Sequence, residues 1–243
     1  MNIYITKDAD RSRAEEIAAR LGIGVCEEET IEELALLLSA DGLSLTDGTL
    51  SMQGDFHGVF ERTQKGRLAS EMLVKAAKRK SYGEVSVAID ATAGLGEDSF
   101  LLAAAGFQVK LYEYDPVIAE LLDDALLRAR ADSELKESAS RMILYKEDSV
   151  KALESLTEKP DVVLLDPMFP KRQKSALIKK KFQLLQQLEK PCSEEAELLE
   201  AALRTGAHRI IIKRPLKGPF LANKKPDYSL SGKAIRYDCI INA

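Results

Sequence analysis

Along residues 85–241, short unbroken apolar runs alternate with longer amphipathic segments. The runs are VSVAID (85–90), QVKLYE (108–113), RMILYK (141–146), DVVLLD (161–166), HRIIIK (208–213) and AIRYDCII (234–241). Each is short for a helix and rich in β-branched residues, so each reads as a strand. Their apolar positions run on instead of alternating, as in a sheet covered on both faces. Between them, EDSFLLAAAG (97–106) reads as a helix that stops at Gly106. Asp115 is suited to cap a helix with Pro116 in its first turn, and Val117, Ile118, Leu121, Leu122, Ala125 and Leu126 form its buried stripe. A short helix from about Val150 and helices over 174–188 and 194–204 complete the set. This rhythm predicts an α/β fold: a doubly wound, mostly parallel sheet of Rossmann-like type with right-handed crossovers.

The first sixty residues follow another pattern. Residues 1–6 predict a short strand. Residues 8–21 predict a helix with Ala14, Ile17, Ala18 and Leu21 on one face and Gly22 as its stop. Residues 30–38 suggest a second helix, and LSLTDGTLSM (43–52) suggests a hairpin across Asp47-Gly48. The expected division is a small N-terminal α+β unit over 1–61 and a larger α/β domain over 62–243, opening with a helix over about 68–80.

With 45% hydrophobic and 30% charged residues in 243, the chain has the balance of a soluble globular protein. No apolar stretch is long enough to span a membrane, and the first residues lack the apolar core of a secretory signal. Cys26, Cys192 and Cys239 form no CxxC pair, and His57 and His208 are far apart. Neither a disulfide framework nor a metal site is expected, and the expected location is the cytoplasm. No stable protein partner is evident in the sequence.

The net charge of -4 argues against a protein that coats nucleic acid, but the charge is uneven. Residues 1–61 carry four basic and thirteen acidic side chains, whereas 62–80 carry seven basic against one acid, Glu71. KRQKSALIKKK (171–181) adds six basic residues and no acid. One such cluster is ordinarily a solvated face; several beside a candidate site point to an anionic partner.

In a doubly wound sheet, ligands bind beyond the carboxyl ends of the strands. Four successive strands deliver an acid there: Asp90, Glu113, Asp148 and Asp166. The loop Asp90-Ala-Thr-Ala-Gly94-Leu-Gly96-Glu97-Asp98-Ser99 has glycines that permit a tight turn and close approach to a ligand. Two carboxylates, Glu97 and Asp98, then open the helix where a pyrophosphate would need free amides. A cofactor with no phosphate and a positive centre is not repelled, and S-adenosylmethionine fits that description. Glu113, about 20 residues after the glycine turn, is placed to accept ribose hydroxyls. Asp148-Ser149 is placed to reach the adenine, or simply to cap a helix.

Asp166-Pro167-Met168-Phe169-Pro170 follows an apolar strand directly. It resembles the (D/N)PP(Y/F) loop of methyltransferases that modify exocyclic amines. An amine conjugated to a base is a poor nucleophile. A carboxylate and a backbone carbonyl can accept its two N–H bonds and fix its direction, while an aromatic ring stacks on the base.

DATAGLGEDSFLLAAAGFQVKLYEYDPVIAELLDDAL, DVVLLDPMFPKRQKSALIKK and IIKRP…LAN together resemble the RsmJ family of small-subunit ribosomal RNA guanine-N2 methyltransferases, over about residues 56–240. The resemblance implies a class I methyltransferase fold, S-adenosylmethionine as donor, and small-subunit rRNA or the ribosomal subunit as partner. On matching positions it implies cofactor contacts from Glu97, Asp98, Glu113, Tyr114, Asp148, Ser149 and Asp166, beside the loop residues Asp90, Gly94 and Gly96. Glu97 and Tyr114 stand where the family commonly has arginine, and Asp148 where it often has serine. Asp166, Pro167 and Phe169 are the expected catalytic residues. Arg62, Lys65, Arg67, Lys171, Arg172, Lys174, Lys213 and Arg214 are the expected RNA contacts. The rivals are an adenine-N6 nucleic-acid methyltransferase, a non-catalytic rRNA-binding assembly factor and, last, a nicotinamide dehydrogenase.

Overall fold

The computed structural model describes residues 1–27, 30–64, 66–78, 86–167, 180–188 and 195–242. The N-terminal sheet contains β1 (Ile3–Ile5), β2 (Val25–Glu27), β3 (Ala35–Ser39), β4 (Gly42–Thr46) and β5 (Ser51–Gln53), in the order β2-β1-β3-β4-β5. Helix α1 (Arg11–Leu21) joins β1 to β2, capped by the Asp10 carboxylate and ended by Gly22 at φ +65°. The expected hairpin forms between β4 and β5, pairing Thr46 with Ser51 across Asp47-Gly48. The helix expected over 30–38 does not form. Residues 35–39 are instead β3, antiparallel to β4 and parallel to β1. The apolar run Leu34–Leu38 therefore gains two strand neighbours, which outweighs its weak helical periodicity.

The second sheet follows helix α2 (His57–Thr63), a 3₁₀ turn at Leu68–Ser70 and α3 (Met72–Ala77). The single helix expected over 68–80 is thus a turn plus a short helix, and residues 79–80 lie outside those described. Then come β6 (Val87–Asp90), α4 (Glu97–Ala104), β7 (Gln108–Tyr112), α5 (Pro116–Ala131), α6 (Lys136–Ala139), β8 (Met142–Tyr145), α7 (Ser149–Glu154) and β9 (Val162–Leu165). Helices α8 (Lys180–Leu188) and α9 (Glu195–Arg204) lead to β10 (Arg209–Pro215), β11 (Tyr228–Ser231) and β12 (Ile235–Ile241). The order is β11-β12-β10-β9-β6-β7-β8. Strands β6 to β10 are parallel, and β12 is antiparallel to both β10 and β11. The chain winds outward from β6 to β8 and then returns to β9 on the other side of β6. The order reverses between β6 and β9, which is where such a sheet opens a ligand crevice.

Helix α5 connects the two halves. Ile118 and Leu121 share a core with β1, β3, β4 and α1, while Leu122, Ala125 and Leu126 pack into the core of the second sheet. Two acids of α5 are also buried, Glu120 at 4% and Asp124 at 0% exposure. Each meets two cations. Asp124 accepts from Arg13 of α1 (2.6 Å) and Arg128 (2.8 Å), and Glu120 from Arg20 of α1 (2.8 and 2.9 Å) and Lys146 (2.9 Å). Pairing of this kind is what makes a buried carboxylate tolerable.

Candidate active site

The switch point brings the ends of β6 and β9 side by side, with Asp90 and Asp166 following one another around the crevice. Asp90 is buried and accepts from the Ser99 hydroxyl (2.6 Å) and the Thr92 N–H (3.1 Å). Burial, only partly offset by these bonds, pushes its carboxyl up to about 7. The loop beyond it turns on Gly94 (φ +54°) and Gly96 (φ +77°). These two glycines answer different needs. A Cβ on Gly96 would strike Leu122 at 2.8 Å, so Gly96 permits packing against α5. A Cβ on Gly94 would meet nothing within 4 Å, so Gly94 faces open space.

Glu113, just past β7, secures this loop. Its two oxygens accept the N–H groups of Gly94 and Asp115, each at 2.8 Å. Burial raises its pKa, opposed by these backbone bonds. Each oxygen keeps a further lone pair for a ligand hydroxyl. Tyr114 beside it is 77% exposed, and Glu97 is exposed at the start of α4. Asp148 caps α7 by accepting the Val150 N–H, and Ser149 is the first residue of that helix. The capping role accounts for Asp148 by itself; its side chain is still about one third exposed, at 35%.

Asp166 is held from two sides. Its backbone N–H donates to Thr92 Oγ1 (2.6 Å), tying the loop after β9 to the loop after β6. Its carboxylate meets the ammonium of Lys213 at 2.9 Å, and the same ammonium meets Asp98 at 2.7 Å. Burial raises the Asp166 pKa while Lys213 opposes the rise. For Lys213 burial works against the charge, but Asp98 and Asp166 outweigh it and hold the pKa above the usual lysine value. Tyr237, paired with Lys213 across β10 and β12, is buried, and burial with the Asp98 charge raises its phenol above the ordinary range. Pro167 is buried directly after Asp166, and Phe169 lies outside the described residues.

The expected RNA contacts divide sharply. Lys213 is engaged by the two carboxylates, so it belongs to the site and not to a phosphate. Arg214 is 1% exposed, donating to Glu195 (3.1 Å) and to the Pro219 carbonyl (3.1 Å), so it offers RNA no face. Their position at a strand end was legible; that each is engaged by carboxylates within the protein was not. Arg62 is paired in a two-pronged bridge to Glu71 (3.0 and 2.7 Å). Arg67 is 69% exposed, with Glu61 at 4.0 Å. Lys65, Lys171, Arg172 and Lys174 lie outside the described residues. Sequence reasoning quoted Thr92 and Ser99 within the loop but gave no role to them, although they hold Asp166 and Asp90 in place, and it missed Tyr237, the strand partner of Lys213.

A cavity of about 370 Å³, lined by Leu153, Glu158, Arg204 and Thr205, lies at the opposite, amino-terminal edge of the sheet. Its charged lining is taken up by the surface pair Glu154–Arg204 (3.1 Å), at the far edge from the four acids, so the site is identified by its chemistry and not by cavity volume. His57, Asp132 and Glu134 bring ligand atoms within 4.8 Å of one another, but they lie away from the strand ends on exposed surface.

The crevice therefore gathers Asp90, Asp98, Glu113 and Asp166, with Lys213 between Asp98 and Asp166, beside a glycine with open space before it. That suits a ligand with ribose hydroxyls and a positive centre. The SAM_MT family model, described as "Putative SAM-dependent methyltransferase", matches residues 16–242. A protein named ribosomal RNA small subunit methyltransferase J from Thioalkalivibrio sulfidiphilus is 39% identical, covering 98% of this chain and 96% of the relative. Its namesake from Pseudomonas savastanoi pv. phaseolicola is also 39% identical, covering 95% and 87%. The crystal structure of a SAM-dependent methyltransferase from Neisseria gonorrhoeae superposes with a TM-score of 0.79 at 29% identity, covering 100% of this chain and 96% of the other.

Proposed function

The chain belongs to the SAM-dependent methyltransferase family that includes the ribosomal RNA small subunit methyltransferase J proteins, and from that premise we propose that it methylates the exocyclic N2 amine of a guanine in small-subunit rRNA. The observation that carries the reading is Asp166, placed at the switch point and held by Lys213 and Thr92.

When bound, S-adenosylmethionine supplies an electrophilic methyl group on a sulfonium. The residues here fit it. Gly94 leaves room, Glu113 has lone pairs for the ribose, and the acidic crevice favours a cation over a phosphate. Asp166 would accept an N–H of the guanine amine, direct its lone pair and stabilise the positive charge that builds on nitrogen as the N–C bond forms and the methyl–sulfur bond breaks to leave a neutral thioether, the surplus proton on nitrogen then passing through this carboxylate to solvent. Lys213 keeps Asp166 ionised and fixed in direction. Catalysis is then mainly positioning and electrostatics. Pro167 stiffens the loop that presents Asp166.

The test is nucleoside mass analysis of small-subunit rRNA treated with the protein and methyl-labelled cofactor. N2-methylguanosine is the expected product. N6-methyladenosine, or no transfer at all, would overturn the reading.

A further inference from the structure

At the end of β10 the chain passes Asp166's partner Lys213 and runs on into the segment Leu216-Lys-Gly-Pro-Phe-Leu-Ala-Asn-Lys-Lys225. Because β10 is parallel to β9, this segment leaves the sheet at the same edge as the candidate site. Leu216 is only three residues past Lys213, roughly 10 Å at the usual strand rise. From 214 to 226 there is no acid, while Lys217, Lys224 and Lys225 are all exposed. Two large apolar side chains also face solvent among them, Leu216 at 36% and Phe220 at 38% exposure.

The segment is held from beneath by two buried arginines. Arg236, neutralised by Asp238 at 2.9 Å, donates to the carbonyls of Pro215, Leu216 and Gly218, each at 2.9 Å, and to Pro219 at 3.4 Å. Arg214 adds a bond to the same Pro219 carbonyl at 3.1 Å. The Arg236 guanidinium also lies 5.0 Å from the centroid of the Phe220 ring, and Leu221 is buried as an anchor. A loop so fixed presents its lysines and its aromatic ring with little ordering left to do on binding.

We propose that residues 216–225 form an RNA-gripping face, with Lys217, Lys224 and Lys225 on phosphates and Phe220 stacking on an unpaired base next to the target. The proposal rests on the methyltransferase reading above and adds the surface that seats its substrate. Charge and position choose RNA. The basic, acid-free stretch complements a phosphate backbone, and its place beside Asp166 puts it within reach of nucleotides flanking a base in the crevice. Aromatic stacking combined with phosphate contact is the way single-stranded RNA is held without a helix to read.

The experiment compares wild-type protein, the Lys217→Ala/Lys224→Ala/Lys225→Ala variant and Phe220→Leu on small ribosomal subunits from a strain lacking this gene. Cofactor affinity is measured by calorimetry and serves as the check on folding. The triple variant is expected to raise KM for subunits, with kcat and cofactor affinity unchanged, and to flatten the log–log salt dependence of binding by about 0.7–0.9 for each phosphate that is no longer gripped. Phe220→Leu is expected to weaken RNA binding by roughly 5- to 150-fold, the range for removal of one base stack. If wild type transfers methyl groups and both variants match it in KM and salt slope, the inference falls and the methyltransferase reading stands. If the variants lose affinity with the salt slope unchanged, the face binds a ribosomal protein and the RNA assignment is overturned. If wild type transfers nothing, both fall together.

Discussion

Lys213 stands between two carboxylates, and its removal separates two roles for Asp166. Asp166→Ala removes the acceptor at a developing charge and is expected to lower kcat about 100- to 1000-fold. Lys213→Met leaves Asp166 in place but takes away the cation that opposes its burial. Only the ionised carboxylate accepts the amine, so activity rises as pH climbs through the Asp166 pKa. Without Lys213 that rising limb is expected to move to higher pH, and Lys213→Arg is expected to restore part of the shift. A kcat–pH profile with an unmoved limb would assign Lys213 to packing alone. Asp90 yields a prediction about stability. Its folded pKa, about 7, lies above its unfolded value. The folded state therefore binds the extra proton, and the stability linked to it is complete below the unfolded pKa and lost as pH rises through about 7. Asp90→Asn removes this dependence, so its stability relative to wild type is expected to increase between about pH 4 and 7, by on the order of 4 kcal/mol at most. Chemical denaturation at several pH values measures it. A constant difference would show that Asp90 does not titrate there.

Among the described helices, α5 buries two acids, Glu120 and Asp124. Asp124 is fully buried and depends on Arg13 and Arg128. The double variant Arg13→Ala/Arg128→Ala leaves that carboxylate unpaired and is expected to cost about 3–5 kcal/mol, whereas adding Asp124→Asn should recover much of the loss. Urea unfolding of the three proteins checks this, and equal stabilities would mean that water reaches Asp124. The sequence showed α5 well, because Asp115, Pro116 and the stripe from Val117 to Leu126 agree with one another. It did not show that Glu120 and Asp124 turn inward, since their arginine partners on α1 lie a hundred or more residues away. The misread segment 30–38 failed for a similar reason. Nine residues cannot separate a helix from a buried strand. The better signal was a second Asp-Gly pair, Asp41-Gly42, which with Asp47-Gly48 brackets β4 at both ends.

Across the whole molecule, the parallel arrangement of β6 to β10 was legible because apolar runs mark the strands and amphipathic segments separate them. The acids at the strand ends were legible for the same reason, since the fold gives their positions meaning. What sequence reasoning lacked was the sign of each side chain's direction. Lys213 and Arg214 look like surface charge in a basic motif, yet one faces Asp166 and the other is buried beneath the Pro215–Phe220 loop. Charge clusters in a sequence thus locate an edge of the molecule, and only the partners that each side chain meets show which members reach solvent.

The sharing of α5 between two cores also bears on the order in which the chain can fold during synthesis. The five strands of residues 3–53 are complete early, but Ile118 and Leu121 of α5, and Leu184 and Leu185 of α8, fill the same core. While only the first sixty residues have emerged, that sheet has an unfilled apolar side and two arginines, Arg13 and Arg20, without Asp124 and Glu120. That core begins to fill once α5 has been made, by which time β6 and β7 are available to form the first pair of the central sheet, and it is completed only with Leu184 and Leu185 of α8. The beginning of the chain thus waits for its middle, and the crevice that opens between β6 and β9 is assembled on a partner sheet already being held in place.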